Sequence, residues 1–240
     1  MKNTLLSLLT ILFVNTSVAQ QKALQENTIH NIKNIESIVP QFSSASSFMP
    51  APFWSNDFSI QSDWVMVDLL NGGLQNWVIT TNGPVGAFSA NMGVINSTTA
   101  ANGFALFDSD ALNTQYTPQE ATLTYNGTID CSAYQYININ FECSHRVFRD
   151  SVFVEISTDN FATVAGRYRI QPALATNESS PNPEFVSLNI SSSAGNQSNV
   201  YLRFHYEGEW DYAIMIDDVN FSETPDNELI LSNQTFGGWW

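Results

Sequence analysis

From residue 53 onward the chain is built of short apolar and polar alternations, each closed by a turn signal. Gln75 to Thr80 ends in Asn82-Gly83-Pro84, Gly103 to Phe107 in Asp108-Ser109-Asp110, and Ala121 to Tyr125 in Asn126-Gly127. Tyr136 to Ser144 places Ile137, Ile139, Phe141 and Cys143 on one phase. Ser151 to Ser157, Phe185 to Ile190, Val200 to Tyr206 and Ala213 to Phe221 follow the same style. Side chains two apart share a face of a strand, so this period predicts half-buried β-strands. No long segment after residue 52 carries helical periodicity. Eight or more short strands at such spacings predict an all-β fold, an antiparallel β-sandwich of the jelly-roll kind.

The closing run holds the most informative break in the pattern. Asp217 and Asp218 interrupt the apolar stretch Ala213 to Phe221. By alternation Asp217 shares a face with Met215, Val219 and Phe221, and Asp218 shares the other with Ile214 and Ile216. Whichever face is core, one carboxylate points at it. An unpaired buried carboxylate is too costly to persist. It needs a cation, several backbone N–H groups, or a bulge that turns it outward.

The ends read differently. Lys2, the apolar run Leu5 to Val14 and the small residues Ser17-Val18-Ala19 have the form of a secretory signal over residues 1–19. The apolar run is shorter than the roughly 20 residues of a membrane span, so no span is expected. Residues 20–52 read as a tether, with a Ser-, Ala- and Pro-rich linker from Gln41 to Pro52. The sandwich is expected over 53–223. Residues 224–240 read as a linker and the start of a truncated next domain, opening at Glu228-Leu229-Ile230-Leu231. The implied localisation is secreted, at or outside the cell surface.

Charge narrows the function classes. The 240 residues carry 8 Lys and Arg against 23 Asp and Glu, a formal net charge of −15. Such a surface repels nucleic acid and anionic membranes. It suits solubility, and it suits divalent cations. Export would permit oxidation of Cys131 and Cys143, whose spacing fits no metal motif. A disulfide and two buried thiols both remain open.

Catalytic signatures are sparse. Glu207 and Glu209 lie two apart on one strand and could act as a carboxylate pair for glycoside hydrolysis, or form a solvated strand end. His145 and His205 lack a second His or Cys at ligand spacing, which argues against zinc. No nucleophile elbow, phosphate loop or dinucleotide fingerprint is present. Arg146, Arg149, Arg167 and Arg169 are expected to pair with local acids. Trp54, Trp64 and Trp77 are expected in the core. Trp210 and Tyr212, beside Glu209, are the candidate ligand contacts, with packing as the alternative for Trp210.

Four stretches carry a family resemblance: Phe53 to Phe58, Asn102 to Asp110, Asp130 to Tyr134, and Tyr212 to Phe221. In this order they resemble the MAM-like and cleaved-adhesin jelly-roll modules of secreted bacterial proteins, over about residues 53–223. The Asp-Asp-Val ending is similar also to calcium-binding carbohydrate-binding jelly rolls, of concanavalin or galactose-binding-like architecture. The resemblance implies a non-catalytic module for adhesion or for carbohydrate or protein binding, part of a secreted multidomain protein. It also implies a structural calcium held by Asp217, by Asp108 and Asp110, and by Asn56 and Asp57. Calcium takes about 6–8 oxygen ligands, which such a set could share. The competing account of Asp108 and Asp110 is that they cap backbone N–H groups in a turn. The partner would be an extracellular carbohydrate or a cell-surface protein. The alternative function is an accessory domain of a secreted peptidase or glycoside hydrolase.

Overall fold

A computed structural model of the chain describes residues 51–70, 72, 75–112 and 117–224. The expected signal, tether and C-terminal linker therefore lie outside the described residues, apart from the edges of their ranges.

The strands are β1 (Trp54–Asn56), β2 (Trp64–Asp68), β3 (Val78–Thr80), β4 (Phe104–Asp108), β5 (Pro118–Tyr125) and β6 (Ile137–Arg146). They continue as β7 (Ser151–Ser157), β8 (Gly166–Arg169), β9 (Glu184–Asn189), β10 (Tyr201–Glu209) and β11 (Ala213–Glu223). One sheet runs β3-β4-β11-β6-β9, with β1 also paired to β11. The other runs β2-β5-β10-β7-β8. Every pairing is antiparallel. From β4 to β7, and again from β8 to β11, consecutive strands alternate between the sheets. This crossing is the jelly-roll form of a β-sandwich.

The alternation explains the core. Ile137, Ile139, Phe141 and Cys143 of β6 face Leu202, Phe204 and Tyr206 of β10 and Val152, Val154 and Ile156 of β7, all within one buried cluster. Phe141 meets Phe204 edge to face at 5.5 Å, and Phe107 stacks on Tyr206 at 3.8 Å. Trp64 and Trp77 are buried in this cluster, while Trp54 is half-buried against it. Cys131 and Cys143 are buried free thiols. Burial pushes the Cys131 thiol up to about 12 and holds Cys143 well above the usual thiol range, so neither is a reactive thiolate.

The outer face of the first sheet is roofed by residues 81–103, the connection from β3 to β4. It contains 3-10 turns at Ala90–Met92 and Ala100–Asn102. Ile95 of this roof packs on Phe104, Leu106, Ala213 and Met215 in a second, smaller apolar cluster. Those four side chains point away from the main core, and the roof gives them a second one.

Replacing Phe204 by Ala should remove about 3–5 kcal/mol of stability, because the ring sits between both sheets with no exposed surface. Chemical denaturation checks this. A loss below about 1 kcal/mol would mean that the sheets do not pack as described.

Candidate functional site

The strand β11 slips register at the acid pair. Asp217 pairs with Glu142 of β6, but Asn220 pairs with Asn140, so β11 carries one extra residue. This is a β-bulge. Asp218 takes it up with φ of 53°, a left-handed conformation that Asp tolerates better than most residues. Alternation is thereby broken. Ile214 and Ile216 face the main core before the bulge, and Val219 and Phe221 face it after. Asp217 stays on the outer face with Met215, beneath the roof. The sequence expectation that Asp217 shares a face with Val219 and Phe221 is thus corrected by the extra residue.

Under the roof Asp217 is fully buried. Ser97 Oγ donates to its Oδ2 at 2.6 Å and Thr99 Oγ1 at 3.4 Å, and the Asp218 amide donates to its Oδ1 at 2.8 Å. None of these donors is cationic. Desolvation pushes its pKa up to about 6; the hydroxyl of Ser97 and the Asp218 amide pull the other way, and the Asp218 charge adds to the rise. Asp218 accepts from the Thr99 amide at 3.1 Å and its hydroxyl at 2.9 Å. Glu142 accepts from the Thr98 amide at 2.5 Å.

Asp108 and Asp110 lie at the other end of the roof. Asp108 pairs with Ala213, four residues and about 13 Å along β11 from Asp217. Its Oδ2 accepts from the amides of Val85 (2.6 Å) and Gly86 (3.0 Å), and its Oδ1 from Ser89 Oγ (2.6 Å). Asp110 Oδ2 accepts from the amides of Phe88 and Ser89. A Cβ on Gly86 would stand 2.5 Å from that of Asp110, so only glycine lets the loop close on the acid. The turn-capping account of Asp108 and Asp110 matches these bonds.

Asn56 and Asp57 also shape the backbone locally. Asn56 Oδ1 accepts from the Phe58 amide and from Trp64 Nε1, and its amide donates to Asp63. Asp57 accepts from Ser59 and Asn102. Both residues line a groove of about 570 Å³ with Asp63, Thr98, Glu142 and Asp218. The structure does not bring the five expected calcium ligands together. Asn56 and Asp57 lie beside the bulge, whereas Asp108 and Asp110 are remote from it and filled by N–H donors. One calcium shared by all five does not fit.

The aromatic candidates form a cleft at the Asp108 end. Trp210, Tyr212, Phe88 and Phe148 enclose about 120 Å³ above Asp110 and Asp211. Phe88, 55% exposed, meets Trp210 edge to face at 5.9 Å. Arg146 lies 3.8 Å over the Tyr212 ring, whose hydroxyl donates to Asn177 at 2.8 Å. Trp210 has φ of 47°, unusual for a bulky residue, and Asp211 holds it there. The Asp211 carboxylate accepts from the amides of Arg149 and Glu209 and from the Tyr206 hydroxyl. Desolvation, then the neighbouring Asp150 charge, push the Asp211 pKa up to about 6. Glu209 does not line the cleft; it pairs with Arg149 at 2.6 Å. Glu207 pairs with Arg167. The two glutamates are thus separately ion-paired.

Sequence reasoning missed Phe88 and Phe148 in the cleft, while Asp211, an acid in the tight turn between β10 and β11, was legible beside Trp210. Nothing in the local sequence marks Phe88, which arrives from the roof.

No family model matches the chain, and no curated protein matches it. Solved structures do. A cleaved adhesin domain of Lys-gingipain from Porphyromonas gingivalis is similar at 16% identity and a TM-score of 0.46, over 72% of this chain and 100% of that one. A xylan-binding domain from Paenibacillus barcinonensis is similar at 13% identity and 0.36, over 71% of this chain and 99% of that one. The glycoside hydrolase domain Endo-D of Streptococcus pneumoniae is similar at 10% identity and 0.43, over 67% of this chain but 22% of that one. The first two are of the module types that the sequence resembles.

Two outcomes follow from the buried acids. Asp108→Ala leaves two amides and a hydroxyl without an acceptor and should cost roughly 2–5 kcal/mol. Hydrogen exchange should accelerate at the amides of residues 85–89 before those of Ile214 and Ile216. Unchanged exchange at 85–89 would show that Asp108 does not hold the roof.

The second outcome concerns pH. Asp217 has a folded pKa near 6, above an unfolded value of about 3.9. Its stabilising contribution is complete below pH about 4 and is lost as pH rises through about 6. Denaturant unfolding should therefore show the wild type losing on the order of 2–3 kcal/mol relative to Asp217→Asn between pH 4 and 7. A gap that is flat or opposite in sign would mean that a cation or an unseen donor compensates the carboxylate.

Proposed function

We propose that this chain is a secreted, non-catalytic binding module, and that a carbohydrate seats in the aromatic cleft around Trp210. The observation that carries this reading is the cleft: four rings surround a small cavity with carboxylates at its base. Rigid aromatic faces supply contact area at low entropic cost, and a few polar groups fix orientation. The cavity admits the edge of one sugar ring rather than a chain, so an end or a side branch of a glycan is the fitting ligand. The similar structures include an adhesin domain and a xylan-binding domain. A role beside a hydrolase remains compatible, because the module would then deliver its neighbour to a polysaccharide.

Trp210→Ala should weaken binding to any glycan retained on a microarray at least about tenfold, as loss of a central aromatic anchor does elsewhere. Retained affinity in Trp210→Ala and Phe88→Ala together would place the ligand elsewhere.

A structural calcium belongs to the same proposal in a reduced form. It would use Asp217, with Asp218 and the hydroxyls of Ser97 and Thr99 as further oxygen donors. The supporting observation is a fully buried carboxylate whose bonded donors are all neutral. Calcium would then raise the melting temperature, a chelator would lower it, and Asp217→Asn would abolish the response. No response in the wild type would leave the hydroxyls and the amide as the only partners of the acid.

A further inference from the structure

The outer face of the second sheet holds a group of side chains that the readings above do not use. Glu120 of β5 and Glu207 of β10 are directly opposed across the strand pair. Like charges in that position repel. His205 lies two residues before Glu207 and so shares its face. Its Nε2 stands 3.0 Å from Glu120 Oε1 and 3.7 Å from Glu207 Oε1. Its Nδ1 stands 3.1 Å from Glu155 Oε1. Glu155 is almost wholly buried, and Arg203 and Arg167 grip it at 2.5 and 2.9 Å. The carboxylate is fixed, so the ring it orients is fixed.

We propose that Glu120, His205 and Glu207 form a site for a divalent transition metal of the zinc class. One nitrogen and two carboxylate oxygens converge within 4.8 Å of one another. Bonds of about 2.0–2.2 Å in a tetrahedron set ligands about 3.3 Å apart. The observed 3.0 and 3.7 Å bracket that separation. In the tautomer that donates Nδ1–H to Glu155, the Nε2 lone pair faces the two carboxylates. Carboxylate, histidine and metal in that order form a common outer-shell arrangement. A proton on Nε2 satisfies one of the three facing lone pairs, and a metal satisfies all three. Glu207 also accepts from Arg167. Rotation of its half-exposed carboxylate frees one oxygen for the metal while Arg167 holds the other. The side chains of Glu120 and Glu207 are 33% and 40% exposed, so the fourth position opens to solvent and takes water or an oxygen-bearing ligand. Imidazole selects zinc-class metals over calcium, which prefers oxygen alone. Residue spacing hides the site, because Glu120 lies 85 positions from His205.

Titration of zinc chloride into the full chain at pH 7.5, in a buffer that does not chelate, is the test. The expected result is one saturable site per chain, unaffected by excess calcium. His205→Gln and Glu120→Gln should each weaken it at least about tenfold, on the scale of losing a ligand or its support. Glu223→Gln, an exposed acid at the end of β11, should leave it unchanged. Circular dichroism establishes that each variant is folded. Should one fail to fold, the zinc-dependent ¹⁵N shift of His205 Nε2 in the wild-type chain decides the matter. Absence of saturable binding, binding that survives both substitutions, or a shift confined to His30 would each overturn the proposal and leave a proton as the cation at Nε2.

Discussion

One extra residue in β11 governs the arrangement of the first sheet. Had the strand kept strict alternation, either Asp217 or the pair Val219 and Phe221 would face the wrong side. The bulge resolves the conflict by changing phase between Ile216 and Val219. The main core stays continuous along the whole strand, and the carboxylate goes to the outer face. That face is itself apolar around Met215, so a roof is needed, and residues 81–103 supply it. The roof then has to be fastened at both ends. Asp217, Asp218 and Glu142 hold Ser97 to Thr99 at one end, and Asp108 and Asp110 hold Val85 to Ser89 at the other.

This gives the acidic composition a structural meaning. A chain with few Lys and Arg cannot neutralise its buried acids by ion pairing throughout. In the first sheet the acids are paired instead with backbone amides and hydroxyls, which are abundant in a loop of small polar residues. The second sheet takes the other course. There Arg167, Arg203 and His205 gather around Glu155, Glu120 and Glu207. Burial disfavours the His205 imidazolium, but its bonds to Glu155 and Glu120 outweigh this and raise its pKa. At Glu155 the bonds from His205 and Arg203 outweigh desolvation and lower its pKa. Protonation therefore relieves Asp217 and strengthens the His205 pairs, whereas protonation of Glu155, held below the usual carboxylate range, weakens the grip of its partners.

How much of this could be read in the sequence depends on range. Strands with two-residue alternation, such as Ile137 to Cys143 and Val152 to Ile156, were legible because their pattern is local. The strand β8, reading Gly-Arg-Tyr-Arg, was not, because an edge strand held by one neighbour needs no apolar stripe. The strand β2 exposes the apolar Val65 and Val67 and so hid its strand pattern, although Trp64 was expected in the core. The conflict at Asp217 and Asp218 was visible, and a bulge was among its foreseeable solutions. Which partners met the carboxylates was not, since Ser97 lies 120 positions from Asp217. The resemblance grouped Asp217, Asp108, Asp110, Asn56 and Asp57 around one ion; register separates Asp108 and Asp110 from the bulge.

The acids at the Asp108 end gain a role from that separation. Asp110 binds the amides of Phe88 and Ser89, and so fixes where the Phe88 ring stands. Asp211 binds the amide of Glu209 at the end of β10 and that of Arg149 in the β6–β7 connection, and holds Trp210 in a left-handed conformation. The Asp211 amide in turn donates to Ser109 Oγ at 2.7 Å, and the Asp110 amide to the Tyr212 carbonyl. Two aromatic rings from distant segments are thus referenced to one short stretch, Ser109-Asp110. A binding surface that must present rings at a fixed spacing needs such a common anchor, because flexible loops would lose the entropy of ordering on each encounter. Buried carboxylates do this well. Each accepts several N–H bonds from different segments, and in a desolvated setting an unfilled oxygen is costly enough to keep all of them in place.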